Sequence, residues 1–188
     1  MSNWQKHYED TKSKPPSKLL LDALAFVQNK SKALDLGAGA LVASKYLLSL
    51  GFEVTAVDIE QFKETIIDDK FRFIQSNFKE YEFSESNFDL ITAQFSLPFN
   101  GTIGFDTLWE NIISSLTPGG IFTGQLFGLN DEWNVPDSKL VFHSRQQVEY
   151  LLSGMEILKL EEIDKDGKLA NGYPKHWHIF HIIARRPE

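Results

Sequence analysis

The chain has 188 residues, no cysteine and a net charge of −7, with 42% hydrophobic and 24% charged residues. That is the balance of one ordinary globular domain with a real core. The missing thiols exclude disulfides, thiolate zinc sites and cysteine nucleophiles, and the acidity disfavours nonspecific binding to nucleic acid or an anionic membrane. No apolar run reaches the ~18–20 residues of a membrane helix, and the N-terminus does not resemble a signal peptide. The expected location is the cytoplasm, with no membrane partner.

Pro15-Pro16 opens a helix with Leu20, Ala23, Leu24 and Val27 on one face. Ala33–Leu36 reads as the first strand, apolar on both faces. A helix burying Ala43, Tyr46, Leu47 and Leu50 follows and stops at Gly51. Strand two is Glu53–Val57, a short helix covers Gln61–Ile67, and strand three is Phe71–Gln75. Phe88–Ala93 is strand four, followed by a helix presenting Phe105, Leu108, Ile112 and Leu116. Thr117-Pro118-Gly119-Gly120 reads as a turn before strand five, Ile121–Phe127. After an irregular stretch come a helix around Arg145–Leu152, strand six at Glu156–Ile163, a loop at Asp164–Pro174 and strand seven at Lys175–Ala184. So short a connection makes the last two strands antiparallel.

The chemistry begins at Ala33-Leu34-Asp35-Leu36-Gly37-Ala38-Gly39-Ala40, a buried strand running into a glycine turn. A second strand ends at Asp58, about 20 residues on, as a strand–helix–strand crossover requires. The glycines let backbone approach a ligand, and the Asp58 carboxylate can accept from both hydroxyls of a ribose. A dinucleotide fingerprint needs a third glycine where Val42 stands.

Asp35, Gly37 and Gly39 instead resemble motif I of the class I S-adenosylmethionine (SAM) methyltransferases, D/E-x-G-x-G-x-G, with Leu41 in place of its last glycine. Pro-Gly-Gly before strand five and a closing hairpin extend the resemblance over nearly the whole chain. It implies a three-layer, Rossmann-like α/β fold with a seven-stranded sheet, mostly parallel with a C-terminal antiparallel hairpin. The expected organisation is a single methyltransferase domain, 1–188. It comprises an N-terminal helical cap at 1–30, a cofactor core at 31–128 and a substrate-side loop and hairpin at 129–188. The short cap and lack of added domains are similar to the small stand-alone, tellurite-resistance-like methyltransferases.

The resemblance further implies SAM as cofactor. Asp35 would organise the turn or meet the methionine amino group. Gly37, Ala38 and Gly39 would offer backbone contacts, and Asp58 would take the ribose. Asn77 would accept from the adenine amine or cap a turn. Ile59 and Phe78 would sandwich adenine, with Phe78 equally readable as core. Gln94, Phe95 and Ser96 would lie where methionine meets substrate. Trp4 and Tyr8 resemble an N-terminal aromatic segment that closes over SAM, or staple the terminus to the core.

Trp133, His143, Tyr173, His176, Trp177 and His178 gather after strand five, where open α/β sheets bind ligands. His143 and His176 are the candidate catalytic residues, as proton acceptors for the incoming nucleophile. The His176-x-His178 pair has a spacing that metal sites use, but packing residues explain it as well, and no metal is expected. The function expected is methyl transfer from SAM to a small-molecule acceptor. Ser96-Leu97-Pro98-Phe99 partly resembles the Asp/Asn/Ser-Pro-Pro-aromatic motif of amino-methyltransferases acting on nucleobases or amides, with Leu97 departing from it. A non-catalytic SAM- or nucleotide-binding module and a nicotinamide enzyme are the further alternatives. Oligomeric state and acceptor identity have no signature here.

Overall fold

The computed structural model describes residues 3–169 and 171–188. Its elements are α1 (Asn3–Thr11), α2 (Lys18–Leu24), β1 (Lys32–Leu36), α3 (Val42–Ser49), β2 (Glu53–Asp58), β3 (Phe71–Gln75) and β4 (Phe88–Ala93). After β4 come a 3-10 turn at Leu97–Asn100, α4 (Phe105–Ser115), β5 (Leu116–Gly128), β6 (Phe142–His143), α5 (Arg145–Leu151), β7 (Glu156–Lys168) and β8 (Pro174–Arg185). One sheet runs β3-β2-β1-β4-β5-β8-β7. The first five of these strands are parallel, and β8 joins antiparallel to both β5 and β7. The two-residue β6 is an eighth strand that the sequence did not suggest, paired with β5.

Alternation along the central strands builds a core on each face of the sheet. Leu34, Ile91, Phe122 and Ile182 point toward Leu108, Ile112 and Val148 of α4 and α5. Their neighbours Ala33, Leu90, Ile121 and Ile183 point the other way, onto Leu20 and Ala23 of α2 and Leu47 of α3. Strands buried on both sides must be apolar at every position, which is why they read as continuous hydrophobic runs. Ser17 caps α2 through Leu20 N, and Ser144 and Gln147 form a reciprocal capping box on α5.

Three local expectations are corrected. Gln61–Ile67 is not helical. Phe62 anchors it and Ile66 packs beside Phe73, while Lys63–Glu9 and Lys12–Glu64 ion pairs tie it along α1. The β-branched Thr65-Ile66-Ile67 run disfavours a helix there.

The Thr117–Gly120 turn lies inside β5 as a bulge. Phe88 pairs with Leu116, but Leu90 pairs with Ile121. Arg186 secures the bulge: its N–H donates to Gly120 O and its carbonyl accepts from Gly119 N.

Asp164–Lys168, expected as loop, continues β7. Here Asp164 faces His178 and Asp166 faces His176 across the hairpin. Cross-strand carboxylate–imidazole contacts, Asp164 and Asp166 on His176 and Glu162 on His178, stabilise a strand whose composition alone reads as a loop.

Candidate active site

The glycine turn sits at the C-terminal end of β1. Gly37 N donates to Val57 O at 2.8 Å, joining the turn to β2. Gly37 adopts φ +78, and a Cβ there would stand 2.2 Å from Ser96 Cβ. Only glycine lets β1 pass so close to the segment after β4. Gly39 also has positive φ, at +50. Ala38 is buried beside Leu41 and Ala56. Leu41, at the place of the missing motif glycine, nevertheless has φ +62. The backbone has kept the left-handed bend at a cost of roughly 1–2 kcal/mol, and the Leu41 side chain is buried beneath the turn.

Asp35 is enclosed and accepts from Ser44 Oγ of α3 at 2.6 Å. Burial pushes its carboxyl up to about 6, opposed by the Ser44 bond and reinforced by nearby Asp58. Its visible work is to fasten the turn to α3.

Asp58 has both oxygens engaged. Oδ2 accepts from Gly39 N at 2.8 Å, while Oδ1 accepts from Tyr8 Oη at 2.8 Å and Glu60 N at 3.1 Å. Tyr8 is buried, its ring edge-on to Phe62 and facing Gly39. Burial and then the Asp58 charge push the Tyr8 hydroxyl well above the usual phenol range, so it remains a donor. α1 therefore covers the glycine turn, and a phenolic hydroxyl stands where a ribose hydroxyl would be accepted.

Ile59 is exposed beside Asp58, free to lie against a planar group. Asn77 Oδ1 accepts from Lys79 N and Glu80 N, the geometry of a turn cap. Phe78 lies in the main core, with Cζ 3.6 Å from the Cβ position of Gly37. Gln94 Oε1 accepts from Ser17 Oγ and Gln125 Nε2, and its amide donates to Thr92. Gln125 in turn accepts from Phe95 N at 3.0 Å. This holds Phe95 at φ +53, an unusual backbone for a non-glycine residue, with its ring turned toward Phe127 and Trp177. Ser96 Oγ donates to Leu36 O, and Ser96 O accepts from Phe99 N and Asn100 Nδ2. The oxygens an amino-methyltransferase motif would use to grip an amine are thus engaged within the chain.

On the far side of Phe95 the walls are aromatic. Phe99, Phe127, Trp133 and Trp177 meet at centroid distances of 5.8 to 6.3 Å, and Trp4 of α1 reaches Phe99 at 5.2 Å. Beneath them Lys175 Nζ donates to Asp131 Oδ1 at 2.5 Å, both side chains almost fully enclosed. Asp131 also accepts from Trp133 N and His178 N, pinning the loop after β5 to β8. Sequence reasoning missed this pair and Tyr8's bond to Asp58. Partners 44 and 50 residues apart leave no spacing signal in the sequence.

His143 and His176 are not brought together. Phe142 stacks on Phe127, and alternation sends His143 to the other side, against Phe105 at 4.8 Å. Burial pushes the His143 ring down to about 4, and its Nδ1 lacks a hydrogen-bond partner. His176 is clamped by Asp164 at 2.7 Å and Asp166 at 2.8 Å, which hold its titration above the ordinary range, Asp166 foremost. His178 Nε2 meets Glu162, and Nδ1 accepts from Asn130 N. Among the described residues no group of three or more His, Asp or Glu side chains is arranged to hold a metal ion, and no helix is long and apolar enough to cross a membrane.

Residues 33–120 match the family model described as a methyltransferase domain. Against curated proteins the chain has no match. Among solved structures, TehB from Haemophilus influenzae superimposes with a TM-score of 0.76 at 16% identity, over 97% of this chain and 67% of that one. The 1,6-didemethyltoxoflavin-N1-methyltransferase of Burkholderia thailandensis, solved with its didemethyltoxoflavin and S-adenosylhomocysteine, gives 0.68 at 19% identity, covering 97% and 85%. A SAM-dependent methyltransferase from Methanosarcina mazei gives 0.65 at 18%, covering 92% and 99%. At these identities the structural likeness speaks for the fold. That fold is the class I SAM-dependent methyltransferase fold, and the methyltransferase-domain match lies over its glycine turn and its strands from β1 into β5.

Proposed function

We propose that the chain transfers the methyl group of SAM to a small-molecule acceptor. The carrying observation is the division at the end of β4. The Gly37 turn, touching Ser96, lies on one side, and the rings of Phe95, Phe127 and Trp177 lie on the other. SAM supplies a methyl group on a sulfonium, already activated for displacement. The chain's contribution is then chiefly to hold and orient two reactants.

Gly37, Ala38 and Gly39 offer backbone, Asp58 accepts ribose hydroxyls once Tyr8 releases it, and Ile59 covers the base. Asp35 acts through Ser44 by fastening the turn. Asn77 and Phe78 shape the base end from behind, and Gln94 with Gln125 holds Phe95. The didemethyltoxoflavin bound by the Burkholderia neighbour supports a small-molecule acceptor. We read 1–188 as one domain, with 1–30 as cap, 31–128 as cofactor core and 129–188 as substrate side. In this reading His143 and His176 are structural supports and positioning carries the catalysis.

The test is calorimetric titration with SAM and S-adenosylhomocysteine, followed by a methyl-transfer screen over metabolites. Asp58→Ala should weaken SAM binding about 10- to 100-fold, the loss of charge-assisted hydrogen bonds worth about 1.5–3 kcal/mol. Unchanged affinity in a folded variant would remove Asp58 from the site. Binding of a nicotinamide cofactor in place of SAM would overturn the reading.

A further inference from the structure

Trp133 and Trp177 share one cation. Lys175 Nζ lies 4.0 Å from the Trp177 ring centroid and 4.4 Å from that of Trp133. The ammonium is enclosed with Asp131, while both indoles remain partly exposed. Each indole thus has the cation over its ring, the Nε1 edge of Trp177 lies over Gly167 of β7, and the remaining exposed surface of both is ring. Phe95 and Phe99, each 39% exposed, complete the bowl beside the glycine turn.

We propose that this bowl selects a neutral, planar aromatic or heteroaromatic acceptor, stacked on the exposed ring surface of Trp133 and Trp177. A cation over an indole draws π density toward itself, so the remaining ring surface disfavours a second cation and is left to a neutral ring. The carboxylate that balances the ammonium is buried with it. A charged acceptor thus finds neither free partner in the floor of the bowl. The left-handed backbone at Phe95, held by Gln125, aims a third ring at the same space. This inference rests on the methyl-transfer reading and names its substrate class.

The test uses the protein saturated with S-adenosylhomocysteine and three probes of one skeleton. Quinoline is planar and neutral, quinoline-2-carboxylate is planar and anionic, and decahydroquinoline is saturated and cationic at neutral pH. Tryptophan fluorescence and calorimetry read the binding. Quinoline should bind at least about tenfold more tightly than either relative. Trp133→Leu and Trp177→Leu should each weaken quinoline at least about fivefold with S-adenosylhomocysteine affinity unchanged. Lys175→Met combined with Asp131→Asn removes both charges together and should narrow the preference for quinoline over decahydroquinoline. Equal or tighter binding of a charged relative, or full quinoline affinity in Trp133→Leu, would overturn the proposal. Trp133 lies on a loop, so that variant decides if those in β8 do not fold. Failure of the wild-type protein to bind S-adenosylhomocysteine would instead sink the methyl-transfer reading, and quinoline titrated alone would then judge the bowl.

Discussion

The two halves of the site are built by different physics. The proposed cofactor half is made chiefly of backbone, two glycines with positive φ and the Val57 carbonyl, with one side chain, the Asp58 carboxylate at a strand end. The proposed acceptor half is made of side chains from four separated segments, held by one buried ion pair and a ring cluster. Backbone geometry tolerates almost no substitution at a few positions. Side-chain walls can be remodelled ring by ring without moving the sheet, so one scaffold can serve many acceptors.

The comparison is broken most directly at Gly37. Gly37→Val would press a branched side chain into Ser96 at a backbone conformation that L residues avoid. We expect SAM binding to fall by more than about 100-fold and the melting temperature to drop. Calorimetry and thermal unfolding check this, and wild-type affinity would make the turn purely structural.

On the other half, Lys175→Met leaves Asp131 charged, enclosed and without its cation. Removal of one partner from a buried pair costs about 3–5 kcal/mol. Urea unfolding should record that loss, while S-adenosylhomocysteine affinity in the folded fraction stays near wild type. A parallel collapse of cofactor affinity would show that the halves are coupled.

Tyr8→Phe sharpens the division, because α1 spans both halves through Tyr8 and Trp4. Without that hydroxyl, Asp58 keeps the Gly39 and Glu60 N–H donors but has no side-chain donor to surrender to a ligand. SAM affinity should rise about three- to tenfold. A fall would mean that the hydroxyl serves the bound state instead.

The smallest effect concerns pH. His143 titrates near 4 in the folded chain against an ordinary 6.5, because burial disfavours its charge. Its folded pKa is the lower one, so the stability present above pH 6.5 is lost as pH falls toward 4, where the unfolded chain takes the proton first. Asp35 works the other way: pushed up from 3.8 to about 6, it favours the folded state as pH falls across that window. His143→Leu should flatten the acid limb of a melting-temperature profile between those pH values. An unchanged limb would assign acid sensitivity elsewhere.

The sequence by itself determined the order of the parallel elements, the closing hairpin and the glycine turn with Asp58, because each is written in a short contiguous run whose periodicity or spacing is physically constrained. It was silent or misleading wherever a distant partner decides the local structure. Thr117–Gly120 has turn residues but lies in a bulge clasped by Arg186. Asp164–Lys168 has loop composition, yet cross-strand histidines make it strand. Gln61–Ile67 is non-helical and is tied along α1 by ion pairs. Asp131 and Lys175 lie 44 residues apart. Their pairing, and the rings it supports, exists only once β8 has entered the sheet beside β5, because burying a charge is tolerable only where its counter-charge is buried with it.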